Sequence, residues 1–530
     1  MSGPLSLTGI PASAGYAEGP IFHLDAAAKS YVARGSVRAE IQALSKAIDV
    51  AAGQLAGLAN EIVGDAADML EFQIAMLGDE SLAAPAFAAI EQGAPADQAW
   101  SGTMEAEIAG YESADDEYFR ARAADLKDIR QQVLDALTSA ESDIPPPGAI
   151  LLGEDIAPTR FLATDWSQGG GIALAKGSSA SHVAMLARAR GVPMVVGLGP
   201  VPTGFDIPIF LDAEHGRILL GASGEDADLF RRSAEAFAAR QRRAEDSAAQ
   251  PAATANGVPV RVLVNIADPS DVERIDITTC DGVGLMRTEF LFGTPAGLPD
   301  EETQYRAYRK VLEWAGEKPV TIRTVDAGGD KPVPGFTVEE GNPFLGLRGI
   351  RLSLARPEVF RAQIRALLRA AVHGNLKIMF PMIAVPEEYT LAAALFSEEA
   401  ERLAQAAIPY VMPPLGIMVE VPSVAIAPEA FDSVTFFSIG SNDLTQYVMA
   451  AARDNGSVAH LNSVHNPAVL RLIGQVAAFG AANAIPVSLC GDAGGDPAAI
   501  PALLEAGLRD LSVVPAQLAL AKAAIAGVTL

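Results

Sequence analysis

Cysteine is nearly absent from this chain: Cys280 and Cys490 are the two in 530 residues. Two cysteines cannot build a disulfide framework, and such scarcity fits the reducing cytoplasm, which is the expected location. Basic tracts are missing as well. With 39 Lys and Arg against 65 Asp and Glu, the formal net charge is −26. Nonspecific nucleic-acid binding needs basic surface to displace counterions, so that function is excluded, whereas a basic protein partner would be attracted. No apolar run is long enough to span a bilayer, so no membrane span is expected. The opening MSGPLSLTGIPASAGYAEGP lacks the basic start and apolar centre of a signal peptide. Histidine is also sparse, six in all.

Half of the residues are apolar, enough for more than one core, and the length suits two to four domains. Residues 37–140 read as helical. Ile41, Leu44, Ile48, Ala51, Leu55 and Leu58 fall at three- and four-residue steps, and Ser36 is placed to cap the first helix. Trp100, Met104, Ile108 and Tyr111 repeat the stripe, as do Leu126, Ile129, Val133 and Leu137. Four antiparallel helices would bury these stripes. The acids Glu71, Asp79, Glu80, Asp115, Asp116 and Glu117 read as solvated surface, some of it open to a basic partner. The prolines of SDIPPPGAILL end the helices. Short β-rich runs with glycine follow, the texture of a compact α/β domain, and GIPASAGYAEGPIFHL ahead of the helices shares it. The expected organisation is therefore an α/β domain from residues 1–25 and 140–223, an inserted helical bundle at 26–139, a charged linker helix at 224–254 and a last domain at 255–530.

In that last domain eight β-rich runs alternate with helical patterns: VPVRVLVNI, GVGLMRT, PVTIRTVD, LKIMFPMI, LGIMVEV, TFFSIGSND, IPVSLCGD and LSVVP. This predicts a (β/α)8 barrel with its site at the C-terminal strand ends. There the second run ends in Arg287, the third carries Arg323, the fifth ends in Glu420, the sixth leads to Asn442 and Asp443, and the seventh ends in Cys490. Two carboxylates from neighbouring strands can hold Mg²⁺ and leave places for substrate phosphate. Arginines recognise phosphate and carboxylate through paired hydrogen bonds, and Arg453 could add another. The substrate should be a small phosphorylated carboxylate, with the cysteine a proton donor or nucleophile above it.

The motifs GIPASAG, SHVAMLARARGVPMVVG, DGVGLMRTEFLF, TIRTVDAGGDKP, NPFLGLRGIR, GIMVEVPS, FFSIGSNDLTQYVMAAARDN and CGDAGGDP resemble, in the same order, those of the enzyme I family, the phosphoenolpyruvate–protein phosphotransferases of the bacterial phosphotransferase system. The resemblance covers essentially the whole chain. It implies a swivelling α/β phosphohistidine domain with His182 as the phosphorylated residue. Arg287, Arg323, Asn442, Asp443 and Arg453 would bind phosphoenolpyruvate, Glu420 and Asp443 would hold Mg²⁺, and Cys490 would protonate the enolate. The bundle would dock an HPr-like phosphocarrier protein, and the chain would dimerise through the barrel. His182 sits where a loop becomes a helix, and the free N–H groups and partial positive charge of a helix start suit a phosphoryl group. The family loop has threonine where this chain has Ala180, and its Gly-Glu-Met is Gly491-Asp492-Ala493 here. His23, His215, His373, His460 and His465 read as structural or solvated, and Cys280 as packing. Two rival readings fit the sequence less well. A dikinase or phosphoenolpyruvate synthase would need a nucleotide-binding domain, for which there is no phosphate loop and no spare length. A non-catalytic phosphoenolpyruvate-sensing paralogue is disfavoured by the intact set of acids, arginines and cysteine.

Overall fold

The structure, a computed structural model, describes residues 5–24, 31–59, 65–112, 117–138, 145–177, 181–200, 209–222, 224–292, 297–329, 333, 335–338, 340–452, 458 and 461–530. It divides into two units, Met1–Ala238 and Ala239–Leu530.

In the first unit four strands, β1 (Leu5–Thr8), β2 (Ile10–Ser13), β3 (Tyr16–Gly19) and β4 (Ile21–His23), precede the helices α1 (Val37–Ala59), α2 (Asp65–Gly78), α3 (Glu80–Glu91), α4 (Ala96–Glu112) and α5 (Glu117–Thr138). Then come β5 (Ile150–Gly153), α6 (Pro158–Ala163), β6 (Gly171–Leu174), α7 (His182–Arg190), β7 (Met194–Val196), β8 (Ile209–Asp212) and β9 (Arg217–Leu220), and the boundary between the units falls within α8 (Glu225–Ser247). One sheet has the order β1-β9-β8-β3 and the other β2-β7-β6-β5-β4. Strands from before and after the helices thus share both sheets, and the helices form one excursion between β4 and β5.

The helical stripes are buried as their spacing requires. Leu44, Ala51, Leu55, Trp100, Met104, Leu126, Ile129 and Val133 lie in one apolar cluster, which continues into Leu151, Ile172 and Met194 of the sheet. Bundle and sheet therefore share a core. The Ser36 hydroxyl accepts from Ala39 N at 3.3 Å, opening α1. Five helices replace the expected four among the described residues. Asp79, in extended backbone, ends the run after Gly78, and its Oδ1 accepts from Ser81 N at 2.8 Å to start α3 afresh. Buried Asp128 of α5 ties three elements together. It accepts from Gln73 Nε2 of α2 at 3.2 Å, from Gln132 Nε2 at 3.0 Å and from Thr159 Oγ1 of α6 at 2.7 Å.

In the second unit all eight expected strands form: β10 (Arg261–Ile266), β11 (Val283–Met286), β12 (Pro319–Arg323), β13 (Asn375–Phe380), β14 (Leu415–Val419), β15 (Phe437–Ile439), β16 (Val487–Leu489) and β17 (Asp510–Val513). They close into a barrel in sequence order. Every pair is parallel, and β17 returns to β10 with Arg261 opposite Asp510. Side chains alternate across the wall. Ile378, Phe380, Ile417, Val419 and Phe437 pack outward into the main core with Phe360, Ile364 and Leu367. Leu285, Met379, Met418, Phe436 and Cys490 form a separate apolar cluster within the ring. Among the described residues no helix is long and apolar enough to cross a membrane.

Candidate active site

The C-terminal strand ends hold a dense set of buried charges. Arg323, at the end of β12, is 5% exposed. Its Nη2 donates to Glu289 Oε2 at 2.9 Å, and its Nη1 lies 3.1 Å from Asp326 Oδ2. Burial opposes this charge, but the carboxylates of Glu289, Asp326 and Glu420 outweigh it and raise the guanidinium's pKa, so the arginine stays charged. Its Nε is buried without a hydrogen-bond partner, a donor left over for an incoming acceptor.

Glu420 follows β14 and is 1% exposed. Its Oε1 accepts from Met382 N at 2.6 Å. Burial, reinforced by Asp443 and Asp326 and offset by Arg323 and Arg348, pushes its pKa up to about 8. Asp443 lies in the first turn of the helix Ser441–Met449, which β15 leads into. A side chain on Gly440 would come within 3.0 Å of Glu420 Oε2, and one on Gly491 would collide with Ser441 Oγ at 2.0 Å. The glycines of these two motifs let the strand ends close in.

Cys490 follows β16 and is 3% exposed. Its Sγ lies 3.6 Å from the Ile439 carbonyl. Burial pushes the thiol up to about 11, against the lowering effect of a hydrogen bond with Ser438 and of Arg323 and Arg287. The group is a thiol at neutral pH, as a proton donor must be. Half-buried Arg287 follows β11 directly, its N–H donating to the Ile266 carbonyl at 3.0 Å. Asn442 Nδ2 donates to Asp492 Oδ2 at 2.9 Å, and Asp492 N donates to Asn442 Oδ1 at 3.0 Å. The aspartate in place of the family's glutamate thus holds the asparagine from both sides.

Arg323, Arg287 and Glu420 all act electrostatically on Cys490, and Arg323 and Asp443 act on Glu420. Arg453 lies outside the described residues, as do Ser178, Ser179, Ala180 and His460. His182 opens α7, where the Ser181 hydroxyl accepts from Ala184 N at 3.2 Å as the N-cap, and Gly191 closes the helix at φ 66°. The His182 side chain is also outside the described part.

Sequence reasoning missed Arg348, the most deeply buried arginine here. It is 1% exposed. It forks between two carboxylates, with Nε and Nη2 on Asp326 at 3.0 Å and Nη1 and Nη2 on Asp443 at 3.1 Å. Burial works against its charge, and Asp326 and Asp443 more than restore it, raising its pKa. Asp326 and Glu289 were missed with it. The signal lay in MRTEFLF, TIRTVDAGG and LGLRGIR, where charge is embedded among apolar residues and glycine rather than set on a periodic polar face.

Among the described residues no three His, Cys, Asp or Glu side chains converge as a ready-made metal cage. Glu420 and Asp443 nevertheless fit a hard cation. Crowded anions raise the pKa of Glu420, and a cation that takes two protein oxygens completes its shell with substrate and water oxygens.

Three family models divide the chain among them. One described as PEP-utilising enzyme, PEP-binding domain, matches residues 241–530. The PEP-utilising enzyme N-terminal model matches 8–122, and the mobile-domain model matches 145–216. The phosphoenolpyruvate-protein phosphotransferase of Geobacillus stearothermophilus is 37% identical over 542 residues, covering 98% of this chain and 93% of that protein. The chain belongs to the phosphoenolpyruvate–protein phosphotransferase family. The phosphotransferase of that name from Bacillus subtilis (strain 168) is 37% identical over 467 residues, 86% of this chain and 81% of that protein. That from Lactococcus lactis is 38% identical over 413 residues, 75% of this chain and 71% of that protein. Family membership therefore extends over both units and the bundle.

Proposed function

We propose that this chain takes the phosphoryl group of phosphoenolpyruvate onto His182 and passes it to a histidine of an HPr-like carrier protein, releasing pyruvate. The chain is an enzyme of the phosphotransferase system, as its family is, and works through a phosphohistidine. The observation that carries the residue assignment is the buried set of Arg323, Arg348, Glu420, Asp443 and Cys490 at the barrel's strand ends.

Arg287 and Arg323, with Arg453, bind the phosphate and carboxylate of the substrate. The free Nε of Arg323 supplies one donor. Asn442, held by Asp492, adds an amide. Glu420 and Asp443 would hold Mg²⁺, which would neutralise phosphate charge and withdraw electrons from phosphorus. Arg348 positions Asp443 by gripping both of its oxygens. The His182 imidazole attacks phosphorus in line, and the arginines stabilise the spreading charge. Cys490 gives its proton to the enolate carbon. The α/β domain of residues 1–25 and 140–223 carries the phosphohistidine, residues 26–139 dock the carrier, residues 224–254 supply the hinge, and residues 255–530 hold the substrate and the dimer contact.

The test is incubation with ³²P-labelled phosphoenolpyruvate and Mg²⁺, followed by mapping of an acid-labile, base-stable label. The label is expected on His182 and absent from His182→Ala, which should still bind phosphoenolpyruvate. Label transferred to a carrier by His182→Ala would overturn the assignment.

A further inference from the structure

Protonation of the enolate leaves Cys490 as a thiolate, enclosed by Leu285, Met379, Met418 and Phe436. Its proton has to be replaced before it can act again. Strand pairing places two hydroxyls behind it. Ser438 of β15 is paired with Ser488 of β16 in parallel register. Residues two apart on a strand share a face, so Ser488 and Cys490 flank Ser438 on the inner side of the wall. The Ser438 hydroxyl is near enough to the Cys490 thiol to lower its pKa, and Ser488 Oγ lies 3.1 Å from Ser438 Oγ. Burial falls along the series: Ser438 is fully buried and Ser488 only half-buried. Ser488 in turn lines an open recess with Arg261, Thr321, Lys377 and Asp510. Arg261 and Asp510 open β10 and β17, so the recess lies at the N-terminal end of the barrel, opposite the strand ends that carry the substrate site.

We propose that Ser438 and Ser488 form a proton-return line that recharges Cys490 from water in this recess. The proposal rests on the reading of Cys490 as the acid. When pyruvate forms, the S–H bond breaks and a C–H bond forms at the enolate carbon. The thiolate then takes the Ser438 proton, Ser438 takes the Ser488 proton, and Ser488 takes one from recess water. The hydroxide left behind is stabilised by Arg261 and Lys377 and neutralised by bulk buffer. One solvent proton is consumed for each pyruvate. Hydroxyls suit this task, because each donates and accepts and can rotate between the two states. A buried thiol with a raised pKa gives a thiolate basic enough to draw the proton back. Asn265 and Ser512 form a second polar pair inside the ring, but Asn265 Nδ2 donates to the Cys490 carbonyl and Ser512 Oγ to Asn265 Oδ1, so that pair serves the backbone rather than the thiol.

The experiment measures two exchange rates together, with Mg²⁺, phosphoenolpyruvate and ¹⁴C-pyruvate in D2O. Carbon exchange reports phosphoryl transfer in both directions. Deuterium appearing at C3 of phosphoenolpyruvate reports exchange of the Cys490 proton with solvent. In Ser438→Ala and Ser488→Ala the ratio of deuterium wash-in to carbon exchange should fall by about tenfold, within the usual reach of a positioned proton-transfer group. Ser488→Thr, which keeps the hydroxyl, should restore it. A merely structural defect lowers both rates and leaves the ratio alone. An unchanged ratio in Ser488→Ala, whose half-buried site tolerates the change, overturns the line whatever happens to Ser438→Ala. The acid reading fails separately: it falls if Cys490→Ala still forms the methyl group stereospecifically at the full rate.

Discussion

Glu420 shows how much a single residue can report. Its pKa of about 8 comes from burial and from the neighbouring Asp443 and Asp326. Binding of Mg²⁺ requires the ionised form, so metal binding near pH 7 should release close to one proton. Calorimetry in two buffers of different ionisation enthalpy measures this, and the release should shrink as pH rises past 8. The sign for stability follows from the same shift. Between about 4.5, the ordinary value, and about 8 the native state holds a proton that the unfolded chain has lost. Metal-free stability should therefore fall as pH rises through that window, and Glu420→Gln should flatten the slope in denaturant titrations. Arg348→Met leaves buried Asp443 without its arginine and Asp326 with Arg323 alone, and a loss of about 3–5 kcal/mol is expected in the same titrations. Arg348 also marks the limit of what the sequence shows. Arg287, Arg323, Glu420, Asp443 and Cys490 stood out because each ends an apolar run. Arg348 lies in a loop, where an arginine ordinarily reads as solvated, and only the folded chain brings Asp326 and Asp443 to it.

At the scale of elements, eight short β-rich runs identified the barrel strands, because a strand buried on both faces is a compact apolar run with little else to be. The bundle was less legible. Periodicity recorded which residues face inward, but one polar residue at Asp79 was enough to divide a helix, and a capping aspartate looks like any surface acid. Asp79→Ala should lower stability by loss of the cap, measured by thermal or denaturant unfolding. Asp128 is the stronger case. Its replacement by alanine leaves Gln73, Gln132 and Thr159 without their common acceptor. A loss of about 2–3 kcal/mol is expected, since buried donors left unpaired cost their full desolvation. The pairing of α5 with α6 should loosen with it, seen as faster amide exchange in α6.

For the whole molecule, the charge of −26 favours a basic carrier. Association with an HPr-like protein should weaken with salt, since exposed charges are screened beyond about 8–10 Å near physiological ionic strength. Because the bundle shares its core with the sheet, removing it would expose apolar surface, so charge reversal is the better probe. Glu80→Lys with Glu91→Lys, both exposed, should slow carrier phosphorylation and flatten its salt dependence while label on His182 is unchanged. Equal rates at all salt concentrations would place docking elsewhere.

The pairing of β17 with β10 has a consequence in time. Arg261 and Asp510, 249 positions apart, grip each other through both guanidinium arms. The ring cannot shut until that distant pair has met, and contacts across so long a loop form late in folding. Strand ends gathered from five parts of the chain come into register only when it does. A chain still being synthesised can therefore hold a finished α/β domain and a finished bundle while it lacks a substrate site. Competence for phosphoenolpyruvate should arrive in one step, after the last strand, and not grow strand by strand.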